Sequence, residues 1–291
     1  MFPIENYHYA ESVEDAVQRL AADKKAKILA GGTDVLVRLH EGKEGYDHLV
    51  DINGLDELKE IRIDGQGNIF IGSRATFAEI ISSDIVRQHL PMLAQSLLTI
   101  GGPQVRNTGT MGGNICNGAV SADSACAALV YEFDLHIQGT EGKRVQSIHG
   151  FHTGPGRTIL QRGDLLTSFV IRPENYIGFG ASYIKYAMRG AMDIATIGCG
   201  AAIKMNGAKV ETFKLAFTVA APTPIRCRTA ENTMEGATIS EEILQRLADA
   251  VATDVKPRTS WRASKEFRLH IIRTLAKKVT RQALDNQGGA C

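Results

Sequence analysis

A glycine-rich stretch from Thr99 to Asp123 limits what this chain can fold into more than any other segment. Its sequence, TIGGPQVRNTGTMGGNICNGAVSAD, shows neither the helical nor the strand pattern of apolar residues. Glycine permits positive φ angles and lets backbone N–H groups approach anionic oxygens closely. The stretch therefore predicts a loop around a phosphate-bearing ligand, and the alternative is a solvent loop without a ligand.

A second glycine-rich turn lies upstream, in KAKILAGGTDVLVRLH. The apolar run that ends at Ala30 predicts a short strand, which leads into Gly31 and Gly32 and then into a helix through Asp34. Unpaired N–H groups at the start of a helix, together with the helix dipole, attract a pyrophosphate, and the hydroxyl of Thr33 adds a donor. A strand followed by a capped helix occurs in many α/β proteins, so this turn gains weight only beside the first.

Length and composition narrow the class of protein. The 291 residues suit two domains of about 150 residues each. A net charge of +1 provides no basic field for nucleic acid. No stretch approaches the roughly 18 apolar residues of a membrane span, and MFPIENYHYA is not a signal peptide. We therefore expect a cytoplasmic protein without a nucleic acid or membrane partner.

The cysteines do not form a metal-binding pattern. They are Cys116, Cys126, Cys199, Cys227 and Cys291. Because no C-x-x-C pair occurs, neither an iron–sulfur cluster nor a structural zinc is predicted on this chain. An odd number of cysteines without an export signal indicates reduced thiols. Cys116 lies in the glycine-rich stretch without a neighbouring base, so a packing role is favoured over a reactive one.

Two lobes are predicted in residues 1–176. Residues 1–55 alternate helix and strand, with an N-cap pattern at Ser12, and this alternation predicts a small α/β lobe. Residues 56–176 predict an α+β lobe of hairpins and helices, including a capping box that opens at Thr76. A ligand bound by both glycine-rich segments would lie between these lobes.

Residues 181–288 predict a separate unit. Three strands come first, and the last two are joined at Asn206 and Gly207, a type I′ hairpin signal. Two helices follow, over Ser240 to Thr253 and about Ser264 to Asp285. Strands followed by helices favour a sheet with helices packed on one face.

Neither standard nucleotide-binding fingerprint is present. The chain has no G-x-x-x-x-G-K-[ST], and the nearest approach to G-x-G-x-x-G, at Gly198 and Gly200, has Ile203 in place of the third glycine. The absence of both fingerprints disfavours an ATPase and a Rossmann dehydrogenase. The stretch around Gly198 and Gly200 is interpreted as a core strand. Two glycine turns in different lobes instead suit a long dinucleotide. FAD is the leading candidate because it is extended and carries two phosphates.

Four motifs in order resemble the FAD-binding medium subunits of the molybdenum hydroxylases. They are LAGGTD at 29–34, TIGGPQVRNTGTMGGN at 99–114, APTPIRC at 221–227 and RASKEFR at 262–268. Within that family the resemblance is strongest to the bacterial xanthine dehydrogenase branch, through segments such as NICNGAVSADSA and SWRASKEFRLH. The resemblance implies an α+β fold. A two-lobed FAD-binding domain of the para-cresol methylhydroxylase type, over 1–176, is followed by a smaller C-terminal domain of sheet plus helices, over 181–288.

The resemblance also implies which segments hold FAD. The segment Lys27 to Asp34 would wrap the pyrophosphate, and the segment Gly109 to Asn114 would contact the phosphates and ribityl chain through backbone N–H groups. The individual residues of these segments are Lys27, Ile28, Leu29, Ala30, Gly31, Gly32, Thr33, Asp34, Gly109, Thr110, Met111, Gly112, Gly113 and Asn114.

The resemblance also implies cofactor contacts by individual residues outside these two segments. The carboxylate of Asp123 would accept hydrogen bonds from a sugar hydroxyl, where an ionised acceptor is stronger than a neutral one. Leu165 or Leu166 would lie along the flavin or adenine surface. Lys185 would come close to the cofactor, where a cation beside the N1 and O2 edge of a flavin raises its potential. The alternative for Lys185 is a solvated strand lysine.

By resemblance, the chain is one module of a larger oxidoreductase. A molybdenum centre on a large subunit would oxidise the substrate, and two-iron two-sulfur clusters on a small subunit would carry the electrons to FAD on this chain. Reduced FAD would then deliver a hydride to NAD. Molybdopterin and the clusters are thus expected on partner subunits in a hetero-oligomer. No catalytic acid or base and no metal ligand is expected here, and His149 and His152 are interpreted as surface or subunit-contact residues.

Three alternatives stay open. The first is the flavoprotein subunit of another molybdenum hydroxylase, acting on carbon monoxide, nicotinate or aldehydes. The second is a self-sufficient flavin oxidase, which needs a substrate pocket of its own. The third is a nucleotide-binding scaffold subunit without redox activity. Purine as the substrate is inferred only from the resemblance, because the substrate chemistry is expected on another polypeptide.

Overall fold

A computed structural model describes residues 4–288, and the first unit of the fold is a three-stranded parallel sheet. Its elements are β1 (Asn6–Tyr9), α1 (Val13–Ala22), β2 (Lys27–Leu29), α2 (Val35–His40) and β3 (His48–Asp51). The strand order is β1-β3-β2, so β2 lies at an edge. The predicted cap of α1 is confirmed, because the Ser12 side chain accepts from the backbone N–H of Asp15 at 3.0 Å.

The second unit is built on a five-stranded antiparallel sheet. Its elements are β4 (Ile61–Ile63), β5 (Ile69–Gly72), α3 (Phe77–Ser82), α4 (Asp84–His89), α5 (Pro91–Leu98), α6 (Pro103–Thr108), α7 (Met111–Cys116), α8 (Asp123–Val130), β6 (Asp134–Gly139), β7 (Gly142–Ser147), β8 (His152–Gly154), β9 (Arg157–Thr158) and β10 (Leu165–Ile171). The strand order is β4-β5-β10-β6-β7, and β8 pairs with β9 separately. The predicted capping box of α3 is confirmed, with Thr76 and Glu79 each bonded to the other's backbone N–H.

The glycine-rich stretch is helical over much of its length, so the prediction of an irregular loop is wrong. It contains α6, α7 and the start of α8. Pro103 occupies the first turn of α6, and the Thr110 side chain caps α7 by accepting from the N–H of Gly113 at 3.1 Å. Position 112, inside α7, is occupied by glycine because a Cβ there would stand 2.7 Å from the Cβ of Ser73. Close packing therefore selects a glycine where helix propensity alone would not.

The third unit is a four-stranded antiparallel sheet with helices. Its elements are β11 (Gly180–Tyr186), β12 (Ile197–Asn206), β13 (Lys209–Thr218), β14 (Ile225–Arg226), α9 (Arg228–Asn232), α10 (Glu241–Asp254) and α11 (Lys265–Gly288). The predicted three strands and two long helices are confirmed, whereas β14 and α9 are additional. The predicted type I′ turn is wrong: Gly207 and Ala208 form the loop, and only Gly207 has a positive φ, of 58°, as in type II′ turns.

Both faces of the third sheet are covered. One face packs against α10 and α11, and the other packs against α5 and α8 of the second unit. Small residues in β12 permit this second contact, since a Cβ on Gly200 would lie 3.1 Å from the sulfur of Cys126. A Cβ on Gly198 would stand 2.5 Å from the hydroxyl of Tyr183. The near-fingerprint around Gly198 is thus a core strand, as predicted.

The four described cysteines are free, and Cys126, Cys199 and Cys227 are fully buried. Burial raises the pKa of each of these thiols, so they remain protonated and act as small apolar side chains. The expectation for Cys291 lies outside the described residues. Among residues 4–288, no helix has both the length and the apolar character required to cross a bilayer.

Candidate functional site

A cavity of about 390 Å³ opens between the first and second units. Most of the predicted cofactor residues line it. They are Lys27, Ile28, Ala30, Gly31, Gly32, Thr33, Asp34, Thr110, Gly112, Gly113, Asn114, Leu165 and Leu166. The remaining predicted residues, Leu29, Gly109, Met111, Asp123 and Lys185, are not part of its lining.

Gly31 is where the two glycine-rich segments meet. A Cβ on Gly31 would stand 2.6 Å from the carbonyl carbon of Thr108 and 3.0 Å from the Cα of Gly109. Only a residue without a side chain allows the first turn to approach the second segment so closely. The two segments, far apart in the chain, therefore form one wall of a single site.

The turn before α2 presents unsatisfied donors to the cavity. Within residues 4–288, the backbone N–H groups of Gly31, Gly32, Thr33 and Asp34 donate to no protein group. Gly32 has a φ of 72°, which aids such a turn. Backbone N–H groups left unpaired at a helix start bind anions, and phosphates in particular. This turn therefore has the geometry of a phosphate site.

The N–H groups of α7 are mostly occupied within the protein. Met111 donates to the carbonyl of Ala75 at 3.1 Å, and Gly112 donates to the carbonyl of Ser73 at 2.8 Å. The N–H of Gly113 donates to the side-chain oxygen of Thr110, and the N–H of Asn114 donates to the carbonyl of Thr110. The geometry thus favours packing and side-chain contacts by this helix over the N–H contacts that the resemblance implies.

Two cations and an aromatic ring line the end of the cavity beside β2. Lys27 and Arg38 both lie over the ring of Tyr46, at 5.8 and 5.7 Å from its centroid. Neither cation forms an ion pair with another residue in the described part of the chain. Sequence reasoning missed Arg38, although α2 places it one turn after Asp34, on the same face. An anionic ligand would neutralise both charges.

Part of the cavity lining is apolar. It comprises Leu165 and Leu166, at the start of β10, with Ile100, Val105 and Phe77. Sequence reasoning identified the leucines by resemblance and missed the other three. Such a surface suits a flat aromatic ring rather than a phosphate. The cavity lining therefore offers both charged or polar groups and apolar surface.

Ser73 adds an orphaned polar atom to the lining. The residue is 5 % exposed, and its hydroxyl has no hydrogen-bond partner among the described residues. A buried hydroxyl without a partner costs about 1–3 kcal/mol. A ligand in the cavity could supply the missing bond. Cys116 also lines the cavity, and burial raises its pKa to about 12, so its thiol is neutral.

A second chain of contacts ties the turn to the rest of the fold. The buried Arg74 donates to the carbonyl of Asn53 and, at 3.1 Å, to the carboxylate of Asp56. The side chain of Asn53 in turn donates to the carbonyl of Ala30 at 2.9 Å. The second unit therefore fixes the position of the strand end from which the turn at Gly31 begins.

Asp123 and Lys185 pair with each other beside the cavity. Their side chains are 6 % and 9 % exposed, and Lys185 Nζ lies 2.9 Å from Asp123 Oδ2. Tyr183 donates to the other carboxylate oxygen at 2.5 Å, and Lys185 also donates to the carbonyl of Thr99 at 3.0 Å. Burial raises the pKa of Asp123, and Lys185 opposes this shift. The pair thus ties β11 to the segment that carries the cavity residue Ile100, and its contact with a cofactor stays a prediction.

His152, interpreted from the sequence as a surface or subunit-contact residue, does not lie on the surface. His152 is buried, and its Nε2 lies 3.0 Å from the carbonyl of Ile115, near the end of α7. Burial lowers the pKa of His152, so the ring is neutral and donates to that carbonyl. His149 is half-buried, and burial, with Arg226 nearby, lowers its pKa to about 4. His152 therefore supports the helix that lines the cavity.

Comparison with known proteins identifies this arrangement. Residues 2–173, more than half of the chain, match the family described as FAD binding domain in molybdopterin dehydrogenase. The chain belongs to this family. Residues 182–283 match the CO dehydrogenase flavoprotein C-terminal domain. The predicted resemblance is confirmed, and the protein is a FAD-binding subunit of the molybdenum hydroxylase type.

Individual relatives match along nearly the whole chain. The xanthine dehydrogenase FAD-binding subunit of Escherichia coli O157:H7 is 47% identical over 289 residues, covering 99% of both chains. The carbon monoxide dehydrogenase medium chain of Hydrogenophaga pseudoflava is 31% identical, over 95% of this chain and 96% of its own. A solved carbon monoxide dehydrogenase from that organism, lacking the Mo-pyranopterin moiety, matches with a TM-score of 0.94 at 30% identity, covering 98% and 99% of the two chains. The predicted fold is confirmed.

The residues present fit FAD. The unpaired N–H groups of the turn at Gly31 and the cations Lys27 and Arg38 suit a pyrophosphate. The apolar lining residues Leu165 and Leu166 suit a ring system. The orphaned hydroxyl of Ser73 offers a further polar contact. FAD combines these features in one extended molecule.

Proposed function

We propose that the cavity holds the FAD pyrophosphate at the turn 31–34, and that the chain passes electrons from iron–sulfur clusters to NAD in a xanthine dehydrogenase. The observation that carries the proposal is the row of four unpaired N–H groups before α2, which Gly31 brings against the second glycine-rich segment. The 47% identity to a subunit named for xanthine dehydrogenase supports xanthine as the substrate of the whole enzyme. The partners would be a molybdenum-binding large subunit and an iron–sulfur small subunit.

Bound FAD would supply the redox chemistry, and the described side chains would bind and orient it. The N–H groups of the turn, with Lys27 and Arg38, would hold the two phosphates through charge-assisted hydrogen bonds. Leu165 and Leu166 would keep water from one side of the ring system. The proposed function requires no side chain to donate or remove a proton, and the sequence likewise predicts no catalytic residue.

The pair of Asp123 and Lys185 would hold a neighbouring cavity residue in place. Because Lys185 holds the carbonyl of Thr99, it fixes the segment that places Ile100 in the lining of the cavity. Contact of either residue with the cofactor, as the resemblance implies, is also part of the proposal. A change in flavin potential in a Lys185→Met variant would support such a contact, whereas an unchanged potential with lowered stability would favour the positional role alone.

Purification of the full chain tests the proposal directly. We expect a yellow protein that retains FAD in stoichiometric amount and whose absorbance bleaches anaerobically on addition of NADH. Bleaching by dithionite but not by NADH would reject NAD as acceptor while leaving the FAD site intact. A colourless protein that takes up no FAD on titration would reject the site itself.

The substrate needs the assembled enzyme. Relatives include medium chains of carbon monoxide dehydrogenases and a nicotinate dehydrogenase FAD-subunit, so the same kind of chain serves several substrates. The holoenzyme, purified with its natural partners, should reduce NAD with xanthine and not with nicotinate or carbon monoxide. Turnover of an organic substrate by the isolated chain would instead favour a self-sufficient oxidase.

A further inference from the structure

The segment at the start of α11 concentrates positive charge. Residues 256–268, KPRTSWRASKEFR, contain one carboxylate and five cationic side chains, in a chain whose net charge is only +1. The cationic residues are Lys256, Arg258, Arg262, Lys265 and Arg268. The carboxylate, Glu266, accepts from its own backbone N–H and from Ser264, which hold its pKa below the usual value. In the described part of the chain, Glu266 forms no ion pair with these arginines.

Arg268 is a buried charge without a counterion. It is 2 % exposed, donates to the carbonyl of Thr196 and to the Ser260 hydroxyl at 2.8 Å, and leaves its Nε–H without a partner. Burial lowers its pKa, and the neighbouring Arg258 and Arg262 lower it further. Within residues 4–288, none of these three arginines forms an ion pair. Arg268 is buried and cannot be reached by another molecule, whereas Arg258 is exposed and Arg262 is partly exposed, so these two arginines can pair with an anion from a partner.

Exposed aromatic rings surround these arginines. Trp261 is 76 % exposed, and the guanidinium of Arg262 lies 4.2 Å from its ring centroid. Phe267 is also exposed, and its ring lies 6.0 Å from that of Tyr186. Tryptophan, tyrosine and arginine are the residues that most often dominate protein interfaces. We call Tyr186, Arg258, Trp261, Arg262 and Phe267 the arginine–aromatic patch.

The loop 187–196 connects the segment of the patch to residues near the cofactor cavity. Arg268 donates to the last carbonyl of the loop 187–196, which bears exposed apolar side chains. Met192 of this loop lies against Gly102, two residues after Ile100, which lines the cavity. A protein bound at the patch would therefore lie beside the loop that contacts the segment carrying the cavity residue Ile100.

We propose that the arginine–aromatic patch docks the iron–sulfur subunit, through a face of that subunit that carries carboxylates around an apolar centre. The inference rests on the proposed function, in which that subunit delivers electrons to this chain. Charge complementarity selects an acidic partner, because the accessible Arg258 and Arg262 lack an anion. Exposed Trp261 and Phe267 select a protein surface that can bury aromatic rings.

The test uses the full chain and the iron–sulfur subunit of the same enzyme. One variant reverses charge, Arg258→Glu with Arg262→Glu, and a second, Trp261→Ala, removes the central ring without a change in charge. The matched control is Arg273→Glu, an exposed arginine farther along α11. Affinity is measured by calorimetry at two salt concentrations. Flavin content, thermal stability and the KM for NADH in dye reduction are measured in parallel.

Both patch variants should bind the iron–sulfur subunit at least about thirtyfold more weakly than the wild type, with flavin content and the KM for NADH unchanged. Charge reversal should also reduce the salt dependence of binding. Wild-type affinity in both variants would overturn the inference, as would intact assembly with a raised KM for NADH, which would assign the arginines to acceptor phosphates. If the wild-type chain holds flavin but never binds that subunit, the proposed electron route fails, and this inference fails with it.

Discussion

The contact at Gly31 allows a quantitative prediction for Gly31→Ala. The new Cβ would stand 2.6 Å from the carbonyl carbon of Thr108, whereas carbon atoms in contact prefer about 3.5–4.0 Å. The turn and the second glycine-rich segment must therefore separate by about 1 Å. A hydrogen bond of about 2.9 Å does not survive such a displacement. Each charge-assisted bond contributes about 1.5–3 kcal/mol, so loss of two to the pyrophosphate weakens FAD binding by about 10²- to 10⁴-fold.

The assay for Gly31→Ala is titration of the flavin-free chain with FAD, followed by flavin fluorescence. Gly65→Ala is the matched control, because no atom lies within 4 Å of its added Cβ and its φ is not positive. Overpacking alone costs about 1–3 kcal/mol, so thermal melting must show that the variant is still folded at the titration temperature. Affinity for FAD within threefold of the wild type would refute the reasoning.

Three further predictions concern single side chains. Ser73→Ala should weaken FAD binding about fivefold in the same titration without lowering the melting temperature, because its hydroxyl has no protein partner to lose; unchanged affinity would contradict the contact. Lys185→Met should lower the free energy of unfolding in urea by about 3–5 kcal/mol, because it leaves the Asp123 carboxylate buried and unpaired, and adding Asp123→Asn should restore part of the loss. His149 has its pKa lowered to about 4, so the unfolded chain binds more protons below about 6.5. Stability should fall as pH drops from about 6.5 to 4, and a His149→Gln variant with the same slope of melting temperature against pH would reject this origin.

Elements whose signals lie within a few residues were predictable from the sequence. The cap at Ser12 and the capping box at Thr76 depend on partners three positions away, so their residue types suffice. The three strands and two helices of the third unit follow from periodicity and length. The turn was predicted one residue too early, at Asn206 and Gly207, and typed incorrectly, because both its place and its type depend on the register of β12 and β13, which the residue pair alone does not determine.

Contacts between distant residues were not predictable without the resemblance. Gly112 packs against Ser73, and Asp123 bonds to Tyr183 and Lys185, through separations that leave no local pattern. No sequence signal identifies Ser73, because only the folded structure shows that its hydroxyl is buried without a hydrogen-bond partner. The resemblance placed most of the cavity lining correctly, but the hydrogen-bond partners of those residues needed the fold.

The two glycine-rich segments serve different physical purposes, although sequence composition makes them look alike. In the first segment, Gly31 and the residues after it leave backbone N–H groups unpaired, so the glycine turn provides hydrogen-bond donors for an anion. In the second, the N–H groups of Met111 to Asn114 are already bonded within the protein, so glycine at position 112 permits packing against Ser73. A side chain at Gly112 would therefore disturb the wall of the cavity before it reached a phosphate. Phosphate affinity should accordingly be more sensitive to changes at 31–34, and thermal stability more sensitive to changes at Gly112.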